Sequence, residues 1–367
     1  MKLIFTSYVS TPEYNDPLKW LARIEGYTGI LEALSDNHSV KSIERINYEG
    51  EVEHNGVEYF FVKQKQKTVL FPFQMHRVIK RMKPDVVLVN GFIFPLQLIQ
   101  LKRKLGRDAK IIVINRSEKP FNGAKKYLQK LADRGIDAYL FASGEFGKQW
   151  IANGNIRDPT KIFEVLHGSS IFKPGDKAEA RSALQIDGSP VFLWVGRLDP
   201  NKDPITVVNA FLKFIKYQPF AKLYVIYHTE ELLETVKGLI SSDEKAKRAI
   251  TLVGKVPHQD LQSWYDSSDF IVSASHYEGG GIAVCEAMSC GCIPILTNIV
   301  SFRKMTGPGR CGLLFEPDDE EDLLNALLKT TEMNREEERK KVLNQFNEEL
   351  SFPAIAKKIE KVMDTLI

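Results

Sequence analysis

Long hydrophobic runs are missing from this 367-residue sequence; no stretch reaches the ~20 apolar residues that a membrane-spanning helix needs. The opening segment, MKLIFTSYVSTPEYNDP, carries one Lys and a short apolar run before turning polar, so no secretory leader is expected there. Cysteine is scarce, with four residues (Cys285, Cys290, Cys292 and Cys311) in one C-terminal stretch. Their C-x4-C-x-C spacing lacks the paired C-x2-C knuckles of zinc modules and falls in an apolar, helix-like run. Reduced thiols in a cytoplasmic protein are expected, with a metal site as the sharper and less favoured alternative. No G-x-G-x-x-G follows the first apolar run, which argues against a dinucleotide-dependent oxidoreductase. Charge of either sign is not in large excess either, since 50 Lys and Arg face 47 Asp and Glu.

What is present is an alternation of short apolar runs with amphipathic segments, the pattern of βαβ units around parallel sheets. The fold class is α/β. The first half offers strands at Lys2–Phe5, Val86–Asn90, Ile111–Asn115 and Ala138–Ala142, with helices at Leu18–Leu34 and Gln97–Leu105 and a hairpin turning at Asn55-Gly56. The second half offers Val191–Val195, Leu223–Tyr227, Ile250–Val253, Phe270–Ser273 and Ile293–Leu296. Hydrophobic content of 43% over this length suffices for two cores. Pro, Gly and charge meet around Lys173–Ser189. The expected organisation is a domain at 1–175, a second at 176–345, and a C-terminal helical segment at 346–367 that packs back on the first.

The chemistry concentrates in the second half. In SASHYEGGGIAVCEAMSCGCIPILT a strand ends, Gly279, Gly280 and Gly281 follow, and a helix begins. Such a loop lets backbone N–H groups approach an anion at a helix N-terminus, although glycines for tight packing give the same pattern. Glu278 and Glu286 bracket it with seven residues between them. Their carboxylates can accept hydrogen bonds from hydroxyls of a sugar and a ribose. A Glu beside a helix start also suits the helix dipole, which accounts for Glu278 but not for Glu286 among apolar neighbours. In VGRLDPNKDP, Arg197 and Lys202 lie in a loop at a strand's carboxyl end, where open α/β sheets bind ligands. A guanidinium and an ammonium there can clamp a diphosphate; a solvated surface loop is the plain alternative.

These motifs, with LVGKVPHQDLQSWYDSSDFIVSAS and VLHGSSIFKP, resemble the family-4 retaining glycosyltransferases of the GT-B fold, the glycosyl transferases group 1. The match is specific over Val165–Phe315 and weaker across the first half. The resemblance implies two Rossmann-like domains facing each other across a cleft. It also implies retention of anomeric configuration, no cofactor and no catalytic metal, with a nucleoside diphosphate sugar as substrate. Arg197 and Lys202 would bind the donor diphosphate, Glu278 the donor sugar, Glu286 the ribose, and Gly279–Ile282 (Gly279, Gly280, Gly281, Ile282) the phosphates through backbone amides, with Gly196 also among the donor-binding residues. The main chain of Lys255, Val256 and Pro257 would read the base. The expected function is hexosyl transfer to a hydroxyl acceptor, lipid-linked or otherwise anionic, in cell-surface polysaccharide or glycolipid synthesis. The alternatives are a nucleotide-sugar epimerase on the same fold and a non-catalytic nucleotide-sugar-binding subunit. Four stretches depart from the family: the first loop reads YVSTPEYNDP without paired glycines, and Tyr227-His228-Thr229-Glu230 replaces a glycine-rich turn. TNIVSFRKMTG replaces a glycine-rich helix start, and Asn115-Arg116-Ser117-Glu118 stands where a His is common. Arg116 and Glu118 become candidates for acceptor or phosphate contact.

Charge is unevenly distributed. Residues 61–130 hold seventeen Lys and Arg against Asp85, Asp108 and Glu118, a net of +14, which leaves −11 for the remainder given the total of +3. VLFPFQMHRVIKRMK and LIQLKRKLGR interleave basic and apolar residues, with Leu70, Phe71 and Phe73 placed to dip into an anionic membrane surface. A solvated basic face is the plain alternative. Nucleic acid is disfavoured because the aromatics form no stacking series. The expected location is cytoplasmic, with peripheral placement on the inner membrane face through this window.

Overall fold

The computed structural model describes residues 1–63, 70–241 and 243–367. Two compact units emerge, one from Met1–Ser169 with Phe352–Ile367, the other from Ser170–Ser351. Strands and helices are numbered below in chain order. The expected boundaries at 175/176 and 345/346 each fall six residues away from those observed. Lys173–Ser189, where Pro, Gly and charge meet, lies wholly within the second unit, with Ile186 buried in its core.

In the first unit the strands are β1 (Lys2–Thr6), β2 (Ser39–Glu44), β3 (Gly50–His54), β4 (Val57–Phe61), β5 (Val86–Asn90), β6 (Lys110–Ile114), β7 (Ala138–Phe141) and β8 (Ile162–Glu164). They form one sheet in the order β3-β4-β2-β1-β5-β6-β7-β8. Among the described residues only the β3–β4 pair is antiparallel, joined through Asn55 and Gly56 at φ 49° and 79°, the left-handed conformations a two-residue hairpin needs. β1 is central, with Leu3 opposite both Val40 and Val86. Its neighbours leave it in opposite directions along the sheet, so the topological switch point lies between β1 and β5. The helices are α1 (Pro17–Arg23), α2 (Glu25–Ser35), α3 (Phe73–Met82), α4 (Pro95–Leu105), α5 (Gly123–Ala132) and α6 (Gly144–Ala152). The single helix expected at Leu18–Leu34 is two, broken at Ile24 (φ −108°, ψ 12°), and α1 is started by the Asp16 carboxylate, which accepts from the Leu18 and Lys19 amides.

The second unit carries β9 (Val191–Gly196), β10 (Lys222–Tyr227), β11 (Ile250–Gly254), β12 (Phe270–Ser273), β13 (Ile293–Thr297) and β14 (Leu313–Phe315), all parallel, in the order β11-β10-β9-β12-β13-β14. Its switch point lies between β9 and β12. The helices are α7 (Lys177–Leu184), α8 (Pro204–Phe214), α9 (Leu233–Ser241), α10 (Glu244–Ala249), α11 (Leu261–Ser267), α12 (Ile282–Ser289), α13 (Val300–Met305), α14 (Glu320–Lys329) and α15 (Arg335–Gln345). The buried Asp269 carboxylate ties its start together, pairing with Lys177 (2.7 Å) and Arg181 (2.9 Å) and accepting from the Val191 amide.

The last helix, α16 (Phe352–Leu366), belongs to the first unit. Ile355, Ile359 and Met363 pack with Ile30, Leu31 and Leu34 of α2 on one face of the sheet. The approach is close: a Cβ on Gly29 would sit 2.5 Å from the Phe352 ring, so only glycine fits. On the opposite face, α3 and α4 bury Met75, Ile79, Leu98 and Leu101.

Candidate active site

In the second unit the loops after β9 and β12 meet at the switch point. The Asn201 carbonyl accepts from the His276 amide (2.9 Å) and its side chain donates to the Tyr277 carbonyl (3.1 Å). Next along, Lys202 Nζ pairs with Glu278 Oε1, and both side chains are largely sequestered from solvent. Arg197 follows Gly196, the last residue of β9, and pairs with Asp199 at 3.0 Å with about half its side chain exposed. Asp199 also accepts from the Lys202 amide (3.0 Å), fixing the loop between the two basic residues. Thus Gly196, Arg197, Lys202 and Glu278 are brought together, although they lie up to 82 residues apart.

Gly279, Gly280 and Gly281 lead from Glu278 to α12. Gly281 takes φ 51°, and a Cβ there would stand 3.0 Å from Met305 Sδ, so conformation and space both favour glycine. No side chain caps α12, whose amides from Ile282 onward are the unmatched donors that attract anions at helix starts. One turn on, about 6 Å along the axis, Glu286 is buried. Its Oε2 accepts from the Tyr265 hydroxyl (2.9 Å) and its Oε1 lies 2.7 Å from His258 Nε2. Each oxygen keeps a second lone pair. His258 follows Lys255, Val256 and Pro257 in the loop after β11, so these residues and Glu286 form a second cluster one helical turn from the first. Its ring packs against Phe172 at 5.1 Å. Burial, then the Glu286 charge, raises the Tyr265 hydroxyl well above its ordinary value, keeping it a neutral donor.

Beside this site His276 lies 2.9 Å from Asp318 and 3.8 Å from Asp203. Ligand atoms of the three residues fall within 4.8 Å of one another, a grouping able to hold a cation. The four cysteines are buried and unbridged. Burial drives the Cys290 thiol well up and pushes Cys292 to about 12.

In the first unit a cavity of about 240 Å³ opens at the carboxyl ends of β1, β2, β5 and β6, lined by Trp20, Tyr27, Glu44, Arg45, Arg116 and Glu118 among others. Arg116 is exposed and donates through Nη1 to the His167 carbonyl (2.7 Å). Glu118 accepts from the Phe92 amide (2.9 Å) and from the Arg116 amide, so its carboxylate straps the loop after β6 to the turn after β5. Sequence reasoning missed Glu44 and Arg45, at and just past the end of β2, because SVKSIE mixes polar and apolar residues, and missed Trp20 of α1 because its bond to Glu44 leaves no trace in spacing. It missed His258 because a lone His after a Pro carries no signal.

Two α/β units, each with polar side chains gathered at its switch point, make the architecture of the GT-B class. Residues 176–347 match Glycosyl transferases group 1, and the chain carries that family's domain there. The chain is 32% identical over 139 residues to a D-inositol 3-phosphate glycosyltransferase of Segniliparus rotundus, covering 36% of this chain and 31% of that one. It is 29% identical over 222 residues to the Escherichia coli UDP-Gal:alpha-D-GlcNAc-diphosphoundecaprenol alpha-1,3-galactosyltransferase, covering 57% and 55%. The matches thus span about half or less of these curated relatives. Among solved structures, a glycosyltransferase from Rickettsia africae superposes with TM-score 0.75 at 15% identity over 100% of this chain and 98% of that one. HepE from Anabaena, in complex with UDP and glucose, does so with TM-score 0.71 at 14% identity over 100% of both.

Proposed function

We propose that this chain is a retaining, family-4 glycosyltransferase that moves a hexosyl unit from a nucleoside diphosphate sugar to a hydroxyl acceptor, lipid-linked or otherwise anionic, in cell-surface glycan synthesis. The observation that carries the reading is the convergence of Arg197, Lys202 and Glu278 with the glycine loop that opens α12. A diphosphate on the α12 amides meets two cations, and the negative charge that grows on it as it leaves is the quantity such a site stabilises. Glu278, already paired with Lys202, is placed to accept from donor-sugar hydroxyls, and Glu286 from the ribose. The bond from the sugar's anomeric carbon to the diphosphate breaks as the acceptor oxygen bonds on the same face, and the acceptor proton passes to the departing phosphate oxygen. No side chain here is cast as a covalent nucleophile, and no metal or cofactor is required. The names of the relatives support a nucleotide-sugar donor: one is a UDP-Gal transferase, and a fold neighbour holds UDP and glucose.

Incubation with a panel of donors tests this. Release of free nucleotide from one of them, accelerated by acceptor, is expected. Binding without release makes the chain a non-catalytic subunit, and isomerised donor without release makes it an epimerase.

A second reading concerns location. On the first unit Leu70, Phe71, Phe73, Tyr127 and Leu131 are exposed amid Lys80, Arg81, Lys125, Lys126 and Lys130. Such a face suits docking on an anionic leaflet, each basic residue contributing on the order of 1 kcal/mol. Lys65 and Lys67 of the basic window lie outside the described residues. No helix among the described residues is long and apolar enough to cross a membrane. Co-sedimentation should require anionic lipid and weaken when Lys80, Arg81 and Lys83 become Glu; equal binding to neutral vesicles removes this reading.

A further inference from the structure

We infer that His258 is the positioning residue behind the ribose contact: its imidazole N–H fixes the Glu286 carboxylate in the orientation that accepts two ribose hydroxyls, and so sets how strongly the chain prefers a ribonucleotide to a deoxyribonucleotide. The inference rests on the transferase reading, in which Glu286 takes the ribose, and names the residue that makes that contact selective.

Glu286 lies on α12 with its side chain 7% exposed, and a buried carboxylate is costly unless its oxygens are hydrogen-bonded. Tyr265 donates to Oε2 at 2.9 Å, and His258 Nε2 stands 2.7 Å from Oε1, the short distance of a charge-assisted bond. One donor alone would leave the carboxylate free to turn about its terminal torsion, whose wells are broad. Two donors on different oxygens fix its plane. Each oxygen then keeps a lone pair in a set direction, and the two oxygens of one carboxylate match the neighbouring 2′ and 3′ hydroxyls of a ribose.

Both donors reach Glu286 from one stretch of chain. His258 follows Pro257 and opens a short turn, His258–Asp260, in which the Asp260 amide donates to the Pro257 carbonyl (3.0 Å). The turn runs directly into α11, which carries Tyr265. Tyr265 is buried in the core of the second unit and is the fixed partner. Half of the His258 side chain is exposed, and its ring packs on Phe172 with centroids 5.1 Å apart and planes 32° from parallel. The histidine is thus the partner at the ligand's side, next in sequence to Lys255, Val256 and Pro257, the segment expected to read the base. A neutral ring protonated at Nε2 and the imidazolium both donate to Oε1, so the bond persists on either side of the imidazole titration.

The test is calorimetry on the full chain with UDP, GDP and ADP and the 2′- and 3′-deoxy counterparts of each, with a melting curve for every variant. The parent should bind one of the three diphosphates at least about tenfold tighter than a deoxy counterpart, the scale of a hydrogen bond to a charged group. His258→Phe keeps a ring against Phe172 but no donor; it should lose most of that preference, with the ribonucleotide weakened and the deoxynucleotide little changed. His258→Gln keeps an N–H near the place of Nε2 but no ring, and should retain the preference. In a Glu286→Ala background, with no carboxylate to orient, His258→Phe should have no further effect. Retention of the preference in the Phe variant, or its loss in the Gln variant, makes ring packing rather than the hydrogen bond the cause and overturns the proposal. A parent that binds ribo- and deoxynucleotide equally overturns it too. A chain that binds none of the three diphosphates overturns the transferase reading, and this inference with it.

Discussion

The two units treat charge at their strand ends in opposite ways. In the second, Lys202 is matched by Glu278, Arg197 by Asp199, and Glu286 by Tyr265 and His258. In the first, Arg45 is buried and forms no ion pair among the described residues, its Nη2 lacking any hydrogen-bond partner there. Matched charges hold two loops in a geometry that persists before a ligand arrives, and the ligand then exchanges one partner for another. An unmatched buried charge is instead a standing cost that a ligand relieves. The strand-end loops of the second unit are therefore expected to hold their geometry without a ligand better than the cavity of the first unit does.

The largest effect should come from breaking the matched side. Arg197→Ala or Lys202→Ala should lower turnover by roughly a hundredfold or more, the scale for losing a donor that stabilises charge in the transition state. Arg197 is the cleaner variant, because about half of its side chain is exposed whereas that of Lys202 is largely sequestered. Steady-state rates with circular dichroism check this, and turnover within a factor of a few of the parent removes these residues from the site.

Acid should separate the units next. Burial, with Lys104 adding to it, lowers His76 to about 4, and burial with Arg116 lowers His167 to about 3. Both are neutral when folded and take up protons on unfolding at pH values below about 6.5, so their contribution is complete above that value and is lost as pH falls toward 4 and 3. For His76 alone the loss by pH 4 is on the order of 3 kcal/mol. In the second unit, burial pushes Asp269 up but Lys177 and Arg181 outweigh it and hold the carboxyl below the ordinary range. That contribution survives until pH drops below about 3.9. Hydrogen exchange between pH 7 and 4.5 should show protection falling in β1, β5 and α3 before β9 and β12; the reverse order contradicts the comparison.

Glu286→Ala should weaken donor binding by about tenfold while slowing bound substrate less, since a ribose contact exists in ground and transition states alike. Unchanged donor affinity would leave Glu286 as a purely structural partner of Tyr265. The smallest expected effect is none: activity should persist in EDTA. Loss restored by magnesium or manganese would assign a cation to the Asp203, His276 and Asp318 grouping.

The donor side was legible because its signals are contiguous. Three successive glycines and a strand-end Arg with Lys five residues on announce themselves by spacing, and β5 and β12 were read with their observed ends. The cavity of the first unit is not legible in the sequence, for its lining is gathered from four strand ends and from the α1–α2 region, and β2 lacks the apolar run that betrays a buried strand. Helix α2 was read through Ile24 into α1 because hydrophobic spacing continues across the break while the backbone does not. The shortest strands, β8 and β14, are three residues each, too few to carry a period.

The most direct test of the account is calorimetric titration of UDP, GDP, ADP and CMP against the parent chain, Arg197→Ala and Lys202→Ala, with a melting curve for each. One nucleoside diphosphate should bind the parent, add about 2.7 kcal/mol of stability at a hundred times its dissociation constant, and lose affinity in both variants. A chain that none of the four nucleotides stabilises, or variants that bind as the parent does, would contradict it.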